Sequence, residues 1–375
     1  MSKRASPGEG RPYQRSADGR WVVVVRDGEG RRRYLYAWSS SEALEKRNDY
    51  ISAIRMGLIP PTGRLSVGKV LADWLDDRRG KVRPATWISY EGQLRIHLAS
   101  IARIQLTKLR PADVRRLLRE REAASCAPRS VAYSLTILRM ALGQAVRDGL
   151  VPRNVAKAVD PPRVVRPELS IWTATQAQTF LEVDVELGSL WAVLLGTGVR
   201  LGEALGLRWA DVDLAGGTLT VSGSVRPVDR RVRVEGEARL QRVEPKTDAG
   251  WRTFAVPPFV VTALRAHREA TETWPANRLG LVFTTPRGTA LDPRNVSRSW
   301  ERAVKTAGVP RIRIHDMRHT VASLLLGSGA TLDDIKRLFG HETIATTSDI
   351  YGHLVAGRSR ELAATIQLQV AGRAG

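Results

Sequence analysis

The chain is poor in the features that would assign it to several common classes of protein. It holds a single cysteine, Cys126, which excludes an intramolecular disulfide and a cysteine-cluster metal site and leads to the expectation of a reducing, cytosolic setting. No stretch approaches the roughly 18–20 apolar residues that a membrane-spanning helix needs. The N-terminal MSKRASPGEGRPYQRSADGR has basic residues without an apolar run after them, so no secretory signal is expected. HExxH and the phosphate-loop pattern GxxxxGKS/T are missing, which argues against a zincin site and against P-loop nucleotide chemistry. No repeat or long low-complexity block interrupts the 375 residues, and that length suggests two or three domains.

Acidic residues are also in short supply. Asp and Glu number 38 against 59 Lys and Arg, for a net charge of +21, and the isoelectric point is near 11.0. A field of that sign attracts polyanions, nucleic acid first and an anionic membrane surface second. Solvated arginine faces without a partner would give the same total. The excess is densest in the middle: 12 basic against 7 acidic residues over 1–62, 19 against 9 over 63–160, and 28 against 22 over 161–375. The middle stretch therefore reads as a DNA-facing module beside two milder ones.

Residues 1–18 are polar with scattered Gly and Pro, the composition of a disordered basic tail. GRWVVVVRDGEGRRRYLYAW then sets two β-rich runs around a Gly-rich turn, a hairpin pattern, and SSSEALEKRNDYISAIRMG follows with helical spacing, so residues 19–62 form a small sheet-and-helix domain. Arg31, Arg32 and Arg33 on the second strand are candidates for a DNA groove or for an exposed edge. Over 63–160 the pattern is helical. Val67, Val70, Leu71, Trp74 and Leu75 make an apolar stripe, and further helices begin near Pro84, Pro111 and Pro128, the last stopping at Gly149. DPPRVVRPELS reads as a linker into 161–375, where helices enclose a β-rich zone from Gly217 to Pro257.

Four stretches of this last segment carry polar residues where a helix would ordinarily be apolar or neutral: TGVRLGEALGL with Arg200, EPKT with Lys246, HDMRHT with His315 and Arg318, and FGHETIATTSDIYGHL with His341 and Tyr351. Singly, each has a plain explanation. Arg200 can pair with Glu203 at i, i+3, Lys246 can be a solvated turn residue, and Tyr351 can be an ordinary core-edge side chain. His315 and His319 at i, i+4 could suggest a metal, but no cysteine cluster or carboxylate triplet accompanies them.

In order, Arg200, Lys246, His315, Arg318, His341 and Tyr351 resemble the active-site series of the tyrosine recombinase or phage integrase family, closely over about 170–355 and more loosely before it. That resemblance implies an α+β, mainly α chain: a β-hairpin and helix N-terminal arm-site DNA-binding domain (19–62), a four-helix SAM-like core-binding domain (63–160), and a mixed, mostly α catalytic domain with a small antiparallel sheet (161–375). It implies a site-specific integrase acting through a covalent 3′-phosphotyrosine, with no metal or nucleotide cofactor. Tyr351 would be the nucleophile, Arg200 and Arg318 the phosphate grips, Lys246 the general acid on a mobile β-hairpin turn, His315 a proton-transfer group, His341 a phosphate hydrogen-bond donor, and Glu203 an orienting residue. Gly340 would allow a sharp turn before His341, and His315 and Arg318 would share one helix face opposite an apolar one formed by Val321, Leu324 and Leu325. The implied partners are double-stranded DNA attachment sites and a homotetramer on them, with an excisionase and a DNA-bending host protein compatible with the arm-like module, and no membrane. The C-terminal pattern of Leu362, Ile366, Leu368 and Val370 would dock on a neighbouring protomer or pack on its own domain. Two rivals are a resolvase or transposase of a conjugative transposon and a DNA-binding regulator that has lost catalysis.

Overall fold

The computed structural model describes residues 10–26, 31–55, 65–165, 169–245, 250–275 and 277–340. It divides into two units, 1–166 and 167–375.

The first unit opens with an antiparallel sheet of β1 (Tyr13–Gln14), β2 (Trp21–Arg26) and β3 (Arg32–Ala37), followed by α1 (Ser40–Arg55). Trp21 pairs with Ala37 and Arg26 with Arg32, so side chains alternate between two faces. Val23, Ala37 and Ala43 form a small core with Leu35 against it, while Arg32, Tyr34 and Tyr36 lie exposed on the other face. The three arginines expected at a DNA groove or an exposed edge are split by this period of two: Arg31 and Arg32 are exposed, and Arg33, opposite the buried Val25, is half-buried on the side of Leu35.

Four helices follow: α2 (Val67–Arg78), α3 (Pro84–Gly92), α4 (Pro111–Ala123) and α5 (Pro128–Arg147). Three begin with proline at the first helical position, where its missing N–H costs nothing and its fixed φ suits the helix. The Ser66 hydroxyl accepts the Lys69 N–H to cap α2. Val67, Val70, Leu71, Trp74 and Leu75 are all buried, as their spacing predicts, and they share one core with Leu117, Leu135, Leu138 and Leu142. The wider π-helical turn of Gln93–His97 that prolongs α3 has no counterpart in the sequence reading.

The second unit is built on helices α6 (Ala174–Glu182), α7 (Gly188–Thr197), α8 (Leu201–Leu205), α9 (Pro258–Ala270), α10 (Pro293–Ala307), α11 (Ile314–Gly327) and α12 (Leu332–Phe339). Its strands are β4 (Val212–Asp213), β5 (Thr218–Val221), β6 (Ser224–Pro227), β7 (Leu240–Val243) and β8 (Arg252–Ala255). The core centres on Trp172, Phe180, Trp191 and Trp300, whose rings lie 5.0–5.5 Å apart. Each indole N–H finds a carbonyl: Trp172 that of Pro310, Trp191 that of Glu186, and Trp300 that of Ile312. Three large side chains are thus buried without leaving a donor unpaired.

β5 pairs with β8 and β6 with β7, all antiparallel. Val221 lies opposite Arg252 and Ser224 opposite Val243. β5 leads into β6 through Ser222 and Gly223, β7 is joined to β8 by residues 244–251, and β6 and β7 form a two-stranded ribbon. The ribbon's turn is residues 228–239, closed by the Val228 N–H to Arg239 carbonyl bond. The expectation that Lys246 sits on a mobile β-hairpin turn falls in the connection between β7 and β8, of which residues 246–249 lie outside the described residues. Lys246 itself, with His341, Tyr351 and the Leu362–Val370 pattern, lies outside the described residues.

Candidate active site

A recurrent local device sets the entrance to this site. An arginine stands at the N-cap and an acid three residues on, whose carboxylate accepts both the arginine's backbone N–H and its guanidinium. It occurs at Arg110–Asp113, Arg200–Glu203, Arg208–Asp211 and Arg313–Asp316. The acid satisfies an orphan donor of the first turn and lies at the positive end of the helix dipole. In α8, Glu203 Oε2 takes the Arg200 N–H at 3.0 Å and Oε1 takes its Nη1 at 2.8 Å. The rest of the exposed Arg200 fork has no other partner among the described residues. In α11, Asp316 is buried and grips Arg313 with both oxygens.

Glu203 holds a second arginine. Arg252 Nη2 reaches its Oε2 at 2.8 Å, and both side chains are nearly buried. Burial alone would raise the Glu203 pKa, but the charge and hydrogen bond of Arg252 and the charge of Arg200 outweigh it and bring the value down to about 2. Nearby, Asp211 accepts the Ser222 hydroxyl at 2.7 Å. Arg242 donates to Ser222 Oγ and to the Gly206 carbonyl, fastening β7 to Ser222 and to the end of α8.

Arg318 is 3 % exposed. Its Nη1 donates to the Gly198 carbonyl at 2.7 Å and its Nη2 to the Phe339 carbonyl at 2.9 Å. Gly198 caps α7 and Phe339 ends α12, so the cation sits at the negative ends of two helix dipoles. The guanidinium carbon also lies 3.8 Å from the centre of the Phe339 ring. Gly198 adopts φ +64°, and a Cβ there would come within 2.5 Å of that ring. At the end of α12, Gly340 takes the left-handed conformation, φ 62°, as expected of the residue before His341.

His315 and Arg318 line one open cleft of about 340 Å³ together with Val199, Leu201, Trp300 and Arg313. His315 is exposed at its surface, yet its pKa is lowered, first by desolvation and then by the positive charges of Arg318 and Arg200. His319 packs edge-on against it at 5.1 Å, and burial together with His315 brings the His319 pKa down to about 4. His315 and Arg318 in one cleft, with the charge of Arg200 acting on His315, make a site that attracts an oxyanion and keeps an unprotonated base beside it.

Arg200, His315 and Arg318 are thus brought together, with Glu203 in the orienting place expected of it. The apolar face of α11 differs from the expected one: Val321 is buried, but Leu324 is exposed and Leu325 half-buried, while Met317, Ala322 and Leu326 fill the core. The burial of Arg318 itself turns the helix so that Leu324 points outward. Arg252, Asp316 and Gly198 escaped the sequence reading. The arginine–acid spacing of Arg313 and Asp316 is a usable signal, but nothing in WRTFAVP announces that Arg252 meets Glu203.

Residues 173–358 match the Phage integrase family. The putative prophage phiRv2 integrase of Mycobacterium tuberculosis is 31% identical over 309 residues, covering 80% of this chain and 77% of its own. A tyrosine recombinase XerC-like protein of Caldanaerobacter subterraneus subsp. tengcongensis is 27% identical over 362 residues, covering 89% and 91%. Among solved structures, the Tn1549 transposon integrase in complex with transposon right end DNA shares the fold, with a TM-score of 0.69 at 20% identity over 82% of this chain and all of that one.

Proposed function

The chain belongs to the phage integrase family of tyrosine recombinases, and from that premise we propose that Arg200, Lys246, His315, Arg318, His341 and Tyr351 form its active site. It is a site-specific DNA recombinase, an enzyme that cleaves and rejoins DNA to integrate a mobile element. The Tyr351 Oη attacks the scissile phosphorus. As that bond forms, the bond from phosphorus to the 5′ oxygen breaks, leaving a 3′-phosphotyrosine and a free 5′-hydroxyl. His315 takes the tyrosine proton and Lys246 supplies one to the departing oxygen. Arg200 and Arg318 stabilise the charge that builds on the nonbridging oxygens, and His341 adds a hydrogen bond. Attack by the 5′-hydroxyl of the second strand reverses each transfer and reseals the DNA without an external energy source.

The observation that carries this reading is the meeting of His315 and Arg318 at one cleft, with Arg200 near enough for its charge to act on His315, and with α12 ending beside Arg318 one residue before the stretch that contains His341 and Tyr351. The lowered pKa of His315 suits a group that must accept a proton near neutral pH.

The finer assignments rest on the family and on composition. Residues 19–62 bind arm-type sites, and the exposed sheet face of Arg32, Tyr34 and Tyr36, with Arg15 over Tyr36 and Arg20 over Trp38, is a surface suited to a phosphate backbone. Residues 63–160 bind the core site, and the catalytic domain spans 161–375. Recombination runs in a homotetramer on two attachment sites, in the cytoplasm, and the arm module makes an excisionase and a DNA-bending host protein fitting partners. Among the described residues, no helix is long and apolar enough to cross a membrane.

The test is covalent trapping. A nicked duplex, selected from a random-sequence library by retention on the wild-type protein, is incubated with wild type and with Tyr351→Phe and run on a denaturing gel. A slow-migrating adduct from wild type alone, with equal binding by both proteins, is the expected result. No adduct from either protein, on a duplex that both bind tightly, would favour the regulator that has lost catalysis.

A further inference from the structure

We propose that Arg252 is a positioning residue that locks the phosphate-gripping Arg200 to the end of the helix from which the segment carrying His341 and Tyr351 departs. The proposal rests on the active-site reading above and adds to it a residue outside the six.

Three bonds carry it. Arg252 Nη2 holds Glu203 Oε2 at 2.8 Å, and Glu203 in turn holds the backbone and side chain of Arg200. Arg252 Nε holds the Leu338 carbonyl at 2.8 Å, in the last turn of α12. Arg252 Nη1 holds the Gly250 carbonyl at 3.3 Å, on the connection that contains Lys246. One nearly buried guanidinium, rigid and planar, therefore ties together the starts or ends of three chain segments that bear catalytic candidates.

The neighbouring bond from Arg318 to the Phe339 carbonyl makes the arrangement a pair. Two arginines take successive carbonyls at the C-terminus of α12, where four carbonyls lack partners within the helix and a cation is favoured by the dipole. Gly340 then turns the chain away. Both arginines donate to protein carbonyls, but Arg318 lines the cleft and Arg252 does not. Its contribution is geometric: it sets the distance between the grip on the phosphate and the origin of the nucleophile's segment, and misplacement of about 1 Å costs on the order of 10²-fold in rate.

Arg252 also keeps Glu203 ionised. The charged groups that act on Glu203 are Arg252 on β8 and Arg200 at the start of its own helix. Without Arg252, burial is opposed by the exposed Arg200 alone, the Glu203 pKa rises, and its carboxylate protonates as the pH is lowered into the acid range. A protonated Glu203 releases Arg200. Loss of Arg252 therefore steepens the acid fall in cleavage that protonation of His315 already gives wild type, and a merely structural role would not.

The experiment uses the full chain and the same selected nicked duplex. Single-turnover adduct formation is followed from about pH 5 to 8 for wild type, Arg252→Met, Arg252→Lys, Glu203→Gln and the double variant Arg252→Met/Glu203→Gln, with duplex affinity measured by fluorescence anisotropy. Arg252→Met is expected to bind the duplex within about twofold of wild type, to cleave on the order of 10²-fold more slowly, and to slow more steeply than wild type as the pH falls. The double variant is expected to lose that added steepness and to fall with pH in parallel with wild type. Arg252→Lys, which restores a charge to Glu203 without the planar fork, is expected to cleave at an intermediate rate with the pH dependence of wild type. Wild-type cleavage by Arg252→Met, or an equal fall at every pH, overturns the proposal. Should Arg252→Met not fold, Arg252→Lys decides, and a wild-type rate in that variant overturns it. Absence of an adduct from wild type itself would instead count against the active-site reading.

Discussion

Gly198 shows how much of this site depends on a position without a side chain. Its φ of +64° is a conformation that an L-residue adopts at a cost, and the missing Cβ leaves room for the Phe339 ring under Arg318. Gly198→Ala is expected to lower the unfolding free energy by about 1–3 kcal/mol, measured by urea titration, and to reduce adduct yield more than duplex affinity, because the displaced ring carries the guanidinium with it. At this scale the sequence was legible where residue type is dictated by chemistry. Arg200, His315 and Arg318 stand out because a phosphate needs cations and a base in a fixed order along a known kind of chain. Arg252 and Gly198 were not legible, since their partners Glu203 and Phe339 lie far off in the sequence and meet them only through the fold.

Among the elements, α12 carries the most consequence for its size. Thr331 and Asp334 close a capping box at its start: the Thr331 hydroxyl accepts the Asp334 N–H at 3.1 Å, and Asp334 Oδ2 accepts the Thr331 N–H at 2.8 Å. Thr331→Ala is expected to cost about 1 kcal/mol, read as faster amide hydrogen exchange across Leu332–Phe339. Helix starts were legible because proline, serine and threonine act locally, as at Pro84, Pro111, Pro128 and Ser66. Helix faces were less so. Leu324 was expected inside α11 and is exposed, because the buried Arg318 occupies part of the inward face that apolar counting assigns to leucine. Strand pairing was less legible still: β7 and β8 pair with β6 and β5, a register that no local signal specifies.

For the whole molecule, charge dominates the expected solution behaviour. With a net charge of +21, duplex affinity should fall linearly in log–log form with salt, losing roughly 10³-fold or more between about 50 and 200 mM if 6–10 phosphates are contacted. Anisotropy titrations at several salt concentrations check this, and a nearly flat dependence would show that the basic surface is not the binding surface. The sequence by itself determined the class of partner, the alternation of sheet, helical bundle and mixed domain, and the order of the candidate catalytic residues, because charge, periodicity and residue chemistry are properties of the chain that survive without coordinates. Only the tertiary structure decided that Arg318 is buried at two helix ends, that Glu203 is shared between Arg200 and Arg252, and that β7 and β8 pair with β6 and β5. Each of these depends on groups distant in sequence being brought within hydrogen-bonding range, and a desolvated ion pair or a strand register acquires its energy only once that packing exists.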